Sequence, residues 1–132
     1  MCIFCDIVKG DIPCRKIYED DNTLAFLDIS GEVEGHTLVI PKAHYENILD
    51  IPVEELSKVI ASVQKLSNHF VDNCGYTGVN ILNASGVDAQ QSVFHLHFHI
   101  LPRKNGDGVN SWPELPKYPD TLDTMCEKLK IN

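Results

Sequence analysis

Residues 94–100 read Phe-His-Leu-His-Phe-His-Ile, placing a histidine at every second position with a large apolar residue between. On an extended chain successive side chains alternate faces. His95, His97 and His99 then share one face, with backbones about 6.5–7 Å apart, while Phe94, Leu96, Phe98 and Ile100 point into a core. A helix would scatter the histidines and leave no apolar stripe. Neutral imidazole is both a common metal ligand and a nucleophile, so the row suits a metal site or nucleophilic catalysis.

A second cluster is Cys2-x-x-Cys5. A redox pair of this spacing belongs after a strand and at a helix start. Only Met1 precedes it here, so a structural zinc site is the better expectation, with two further ligands to come from His36, His44, His69 or the row. His36 follows Gly35 at a loop-to-strand junction, a position where function often resides. His44 comes just after Val39-Ile40-Pro41-Lys42. His69 lies on the polar side of a helical segment and is expected to be solvated. Cys14, Cys74 and Cys126 are isolated and read as ordinary core or surface residues.

The elements that must hold these groups follow from periodicity. Residues 15–20 and 23–29 read as two strands joined by a turn at Asp20, Asp21 and Asn22, and residues 36–40 as a third strand ended by Pro41. Apolar residues at Val53, Leu56, Val59, Ile60, Val63, Leu66, Phe70 and Val71 mark an amphipathic helix. Residues 78–83 form a fourth strand, residues 84–92 a polar loop, and residues 93–101 a fifth strand stopped by Pro102. The chain from Arg103 to Pro119 is rich in Gly and Pro and reads as surface. Residues 121–130 add a short terminal helix. Mostly short loops between strands imply an antiparallel α+β domain.

At 132 residues the chain is one domain, with residues 103–132 as a surface-lying C-terminal extension. Eleven basic against nineteen acidic residues give a net charge of −8, which argues against a general nucleic-acid backbone binder. A single phosphate can still be held by backbone N–H groups and a few histidines. No apolar run approaches the ~20 residues of a membrane span, and no signal peptide is expected at the N-terminus. Five cysteines, an odd number, do not suit a fully paired disulfide scaffold. A reducing cytoplasm is the expected compartment.

The run His95-Leu96-His97-Phe98-His99-Ile100-Leu101 resembles the signature of the histidine triad (HIT) family, three histidines separated by apolar residues. The stretches CIFCDIVKGDIP, IYEDDNTLAFLDI, GHTLVIPKAH and QQSVFHLHFHILPR are similar to its Hint-like branch and together span most of residues 2–104. The resemblance implies a five-stranded antiparallel sheet with one long amphipathic helix and short terminal helices, forming a homodimer. It implies hydrolysis or transfer at the α-phosphorus of a purine nucleotide such as AMP or an AMP conjugate. Carried over, His97 is the nucleophile, His99 bonds the α-phosphate oxygens, His36 sits behind the row to fix a ring tautomer, and Ser92 assists the leaving group. Asp28 corresponds to the ribose-hydroxyl acceptor. Ile3, Phe4, Ile7, Phe26, Leu27 and Ile29 match the walls around the base, and Asn83 and Gln91 match positions lining the phosphate pocket. In zinc-bearing relatives the ligands match Cys2, Cys5, His44 and His95, making the zinc structural and leaving no need for a catalytic metal.

The chain departs from the family pattern at Ala89 and Gln90, where a glycine commonly precedes the Gln-Ser pair. The stretch LPRKNGDG after the row is closer to dinucleoside polyphosphate hydrolases, whereas CIFC and VIPKAH point to phosphoramidate-type P–N cleavage. Phosphoramidate cleavage is the primary expectation and dinucleoside polyphosphate cleavage the alternative. Two further classes stay open: a zinc-dependent metallohydrolase using all three row histidines, and a nucleotide-binding protein without turnover. Trp112 lies outside the resemblance and either closes over the site or packs on the surface.

Overall fold

The computed structural model describes residues 2–132. Along the chain come α1 (Ile3–Lys9), β1 (Lys16–Glu19), β2 (Thr23–Leu27), β3 (Thr37–Pro41), α2 (Val53–Asn73), β4 (Gly78–Leu82), β5 (Phe98–Arg103) and α3 (Leu122–Leu129). The strands form one antiparallel sheet in the order β1-β2-β3-β5-β4. The architecture is the expected α+β arrangement of a five-stranded sheet, one long helix and short terminal helices.

β2 and β3 are buried at every position but Leu27, because both faces of the sheet centre are covered. On one face α2 buries Val59, Val63, Leu66 and Phe70 against Ala25, Val39, Leu96, Phe98 and Ile100. Their helical spacing puts them on one stripe, and each such side chain contributes about 1.5–3 kcal/mol on burial. The alternate residues Leu24, Phe26, Leu38 and Ile40 turn to the other face, where Phe4 of α1 covers them. The turn between β1 and β2 is locked to α2 through Asp20. Its Oδ1 accepts from the backbone N–H groups of Asn22 (2.9 Å) and Thr23 (2.8 Å), and its Oδ2 from the Tyr18 hydroxyl. Thr23 in turn shares a 2.7 Å bond with buried Ser62 of α2.

The last strand corrects the sequence reading at both ends. It starts at Phe98, not Val93, so His95 and His97 lie on the approach to the strand, which bends at residues 93–95, and only His99 is within it. That approach runs along the loop after β3, where the Leu96 N–H donates to the Tyr45 carbonyl at 2.7 Å. Phe94 is 41% exposed and takes no part in the core, whereas Leu96, Phe98 and Ile100 do. Pro102 does not stop the strand: it lies inside β5 and pairs with Val79. Pairing of β5 to β3 ends at Ile100, so the missing N–H of Pro102 falls where that side of the ladder has already finished. Pro41 likewise is the final residue of β3 rather than the one after it.

Beyond β5, the Arg103 guanidinium grips Asp107 through Nε (2.8 Å) and Nη2 (3.0 Å) and reaches Asn80 Oδ1 at 2.7 Å. This bidentate clamp ties the connection after β5 back to β4. Farther on, Trp112 is 79% exposed and α3 has no buried residue.

Candidate active site and metal-ligand cluster

The histidine row divides between two tasks, and backbone carbonyls set the division. His95 is fully buried and its Nε2 donates to the Pro41 carbonyl at 2.8 Å. Its Nδ1 therefore carries the lone pair, which faces Cys2 Sγ (3.4 Å), Cys5 Sγ (3.5 Å) and His44 Nδ1 (3.2 Å). Cys5 Sγ and His44 Nδ1 are 3.4 Å apart, and all four donor atoms lie within 4.8 Å of one another. A tetrahedral zinc with two sulfur and two nitrogen ligands has ligand–ligand edges of about 3.3–3.8 Å, so this donor set fits zinc in kind and in spacing. Cys2 reaches the cluster as the N-cap of α1, where its sulfur accepts from the Cys5 N–H at 3.3 Å. His69, the other candidate considered, is exposed on α2 and bonds Asn73.

His97 is turned the other way round. Its Nδ1 donates to the His95 carbonyl at 2.8 Å, which leaves the lone pair on Nε2. Its own carbonyl accepts from Asn83 Nδ2 at 2.9 Å. The ring is buried edge-on to Phe4, with centroids 5.2 Å apart. Burial lowers its pKa below the ordinary imidazole value, favouring the neutral, nucleophilic form at pH 7.

Asp28, His36 and His99 lie beside it. His36 Nε2 and His99 Nδ1 are hydrogen-bonded at 2.8 Å, and His36 Nδ1 lies 3.6 Å from Asp28 Oδ2. Burial would raise the Asp28 pKa, but the hydroxyl and N–H of Ser30 more than offset it, and the carboxyl is held low. Burial, with His97 and His36 alongside, pushes His99 down to about 4. The bond to His36 occupies His99 Nδ1 and leaves His99 Nε2 for a further partner.

Gly35 sets the position of His36. Its φ is +74°, and a Cβ there would meet Pro102 Cγ at 3.0 Å and the Tyr76 hydroxyl at 3.2 Å. Only glycine fits both the conformation and the space.

Among the expected base walls, Phe4 and Phe26 pack edge-to-face at 5.5 Å, and Ile7 and Leu27 are half-buried nearby. Ile3 is 49% exposed and Ile29 is 90% exposed, so neither forms a closed wall. Asn83 borders a cavity of about 330 Å³ together with His36, His99, Gln90 and Leu101. Gln91 does not line it. Its amide is spent inside the loop, accepting from Gly86 N–H (2.8 Å) and donating to the Glu46 (2.7 Å) and Val93 (3.0 Å) carbonyls. Ser92 is exposed and borders a larger cleft of about 850 Å³ alongside Ile3, Phe94 and the cluster residues Cys2, Cys5 and His44.

The residues that sequence reasoning missed are the supports. Asn47 and Glu46 brace Gln91, and the Pro41 carbonyl fixes the His95 tautomer. Backbone acceptors carry no signal in residue type, so the last of these was not legible.

The chain is similar to known proteins over most of its length. Residues 9–106 match the model of the HIT domain. The chain is 49% identical over 134 residues to an uncharacterised HIT-like protein of Methanocaldococcus jannaschii, covering 98% of this chain and 99% of that one. It is 40% identical over 131 residues to an adenosine 5′-monophosphoramidase of Schizosaccharomyces pombe, covering 97% and 95%. Among solved structures, a zinc-bound histidine triad family protein from Mycobacterium smegmatis is 41% identical, with a TM-score of 0.79 over 90% of this chain and 84% of that one. With the histidine row, its buried supports and the family match all covering the same residues, the chain belongs to the HIT domain family.

Proposed function

We propose that this protein is a nucleotide hydrolase that cleaves the P–N bond of purine nucleoside 5′-phosphoramidates and related AMP conjugates. The observation that carries the reading is the tautomer of His97: with Nδ1–H committed to the His95 carbonyl, a buried neutral Nε2 is free to attack phosphorus. A Schizosaccharomyces pombe relative at 40% identity bears the name adenosine 5′-monophosphoramidase, which supports the substrate class.

In the first step the Nε2 lone pair of His97 bonds to the α-phosphorus and the P–N bond to the leaving amine breaks, the amine taking one proton from solvent. In the second, water attacks the nucleotidyl-histidine, the phosphorus–Nε2 bond breaks to restore the His97 lone pair, AMP is released and the surplus proton of the attacking water returns to solvent. His99 holds the non-bridging oxygens and His36 orients its ring through the 2.8 Å bond to Nδ1, while Ser92 borders the separate 850 Å³ cleft. Asp28 serves the ribose, and Ile3, Phe4, Ile7, Phe26, Leu27 and Ile29 flank the base. Cleavage of a dinucleoside polyphosphate would use the same attack and differ in leaving group alone.

Zinc at Cys2, Cys5, His44 and His95 would supply structural closure, four ligands leaving no open coordination position. The three row histidines do not converge on one point, since His95 Nδ1 faces the cysteines while the Nδ1 atoms of His97 and His99 are bonded elsewhere. That disfavours the metallohydrolase reading. We further infer a cytoplasmic homodimer. Edge strand β4 exposes Ile81 and Leu82, and α2 exposes Ile60 and Val71, which supports pairing of two copies there.

The test is AMP release from adenosine 5′-phosphoramidate with and without chelator. Release by the wild type that resists chelator and falls by at least about 10³-fold in His97→Ala, with the fold retained, supports the proposal. Immediate loss on chelation with an intact fold would overturn it in favour of a catalytic metal.

A further inference from the structure

We propose that Gln90 selects the leaving group, favouring one that can hydrogen-bond over an apolar one of equal size; the inference rests on the phosphoramidate reading above. Among the described residues, Gln90 is the one non-glycine with positive φ, at +70°. It closes the 3-10 turn Val87–Ala89, its N–H donating to the Val87 carbonyl at 2.9 Å. Residues with a Cβ disfavour this left-handed conformation, and glycine adopts it freely. Strain of this kind persists where the surroundings over-determine it, and it gathers at functional sites.

The neighbouring glutamine shows why the side chain at position 90 matters. Gln91 turns inward and spends both ends of its amide on the loop and its surroundings. Gln90, exposed, lines the 330 Å³ cavity with His36, His99 and Asn83. Asn83 is committed to the His97 carbonyl and the Ser85 hydroxyl. The Gln90 amide therefore offers this cavity both a donor and an acceptor, and a glycine would offer neither.

The lining of this cavity includes His36 and His99 and neither Phe4 nor Phe26. Ring contacts run from Phe4 to His97 (5.2 Å), to His99 (5.0 Å), to His36 (5.1 Å). With the base near Phe4 and Phe26 and phosphorus at His97 and His99, the group beyond phosphorus enters the cavity that Gln90 lines. A site built to hydrogen-bond its substrate rejects the analogue that lacks the partner.

The experiment compares two P–N conjugates of AMP, one with glycinamide and one with its apolar isostere isobutylamine, on wild type, Gln90→Gly and Gln90→Asn. The wild type should favour the glycinamide conjugate in kcat/KM. Gln90→Gly should lower that preference about tenfold while raising Tm, because the strain is relieved as the amide is lost. Gln90→Asn, which tolerates positive φ and keeps an amide, should retain most of the preference. A preference in Gln90→Gly within twofold of wild type would overturn the proposal. Wild type that releases no AMP from either conjugate would instead overturn the phosphoramidate reading on which it rests.

Discussion

At the scale of single residues, the site is a problem of where protons sit. Each imidazole in the row has one nitrogen committed, Nε2 in His95 and Nδ1 in both His97 and His99. His99, held at about 4, remains neutral where a free imidazole would begin to charge near 6.5. Between those values the unfolded chain binds the proton that the folded chain refuses, so stability rises with pH through the window and falls on acidification. With chelator present throughout, Tm should drop from pH 7 to pH 4.5, and less steeply in His99→Asn; equal slopes would contradict the assignment. Gly35→Ala should destabilise by about 1–3 kcal/mol, from positive φ and the contact with Pro102, and should lower turnover by displacing His36. Thermal unfolding alongside a kinetic assay reads both effects. The alternation of His95, His97 and His99 was legible in the sequence, as were the zinc-type donors. The split between Gln90 and Gln91 was not, because it depends on one φ angle and on partners up to 45 residues away.

At the scale of elements, alternating sequence and strand proved distinct. Residues 93–97 lie outside the ladder, bending at 93–95, and the Leu96 N–H bonds the loop after β3 instead. Hydrophobic pattern reports which side chains are buried and is silent on which backbone receives the hydrogen bonds, so the start of β5 was misplaced. The same limit hid the place of Pro102, whose tolerance depends on where the partner strand ends. α2 and the central strands were legible, since their apolar spacing is dictated by what they bury. α1 is seven residues long and buries one of them, Phe4. Few contacts of its own hold it, so the Cys2–Cys5–His44–His95 cluster should be its main anchor. Cys5→Ser, or prolonged chelation, should lower Tm by several degrees, and added zinc should restore the chelated wild type and not the variant. Unchanged Tm on chelation would contradict a structural metal.

At the scale of the whole molecule, one segment links the parts. His95 contributes its ring to the donor cluster, its carbonyl to His97, and a neighbour, Leu96, to the core under α2. His97 is thus positioned by the same few residues that join α1, the loop after β3 and the main core. The acidic net charge argues against a nucleic-acid backbone as ligand, and the cavity of about 330 Å³ beside His36 and His99 has room for a small one. The measurement that tests the central claim most directly is rapid-mixing mass spectrometry of the protein with adenosine 5′-phosphoramidate, quenched near neutral pH. A transient adenylyl adduct that maps to His97, is absent from His97→Ala and decays as AMP appears is the predicted result. AMP release at the full wild-type rate with no adduct at any time would show that water attacks phosphorus directly, and would contradict nucleophilic catalysis by His97.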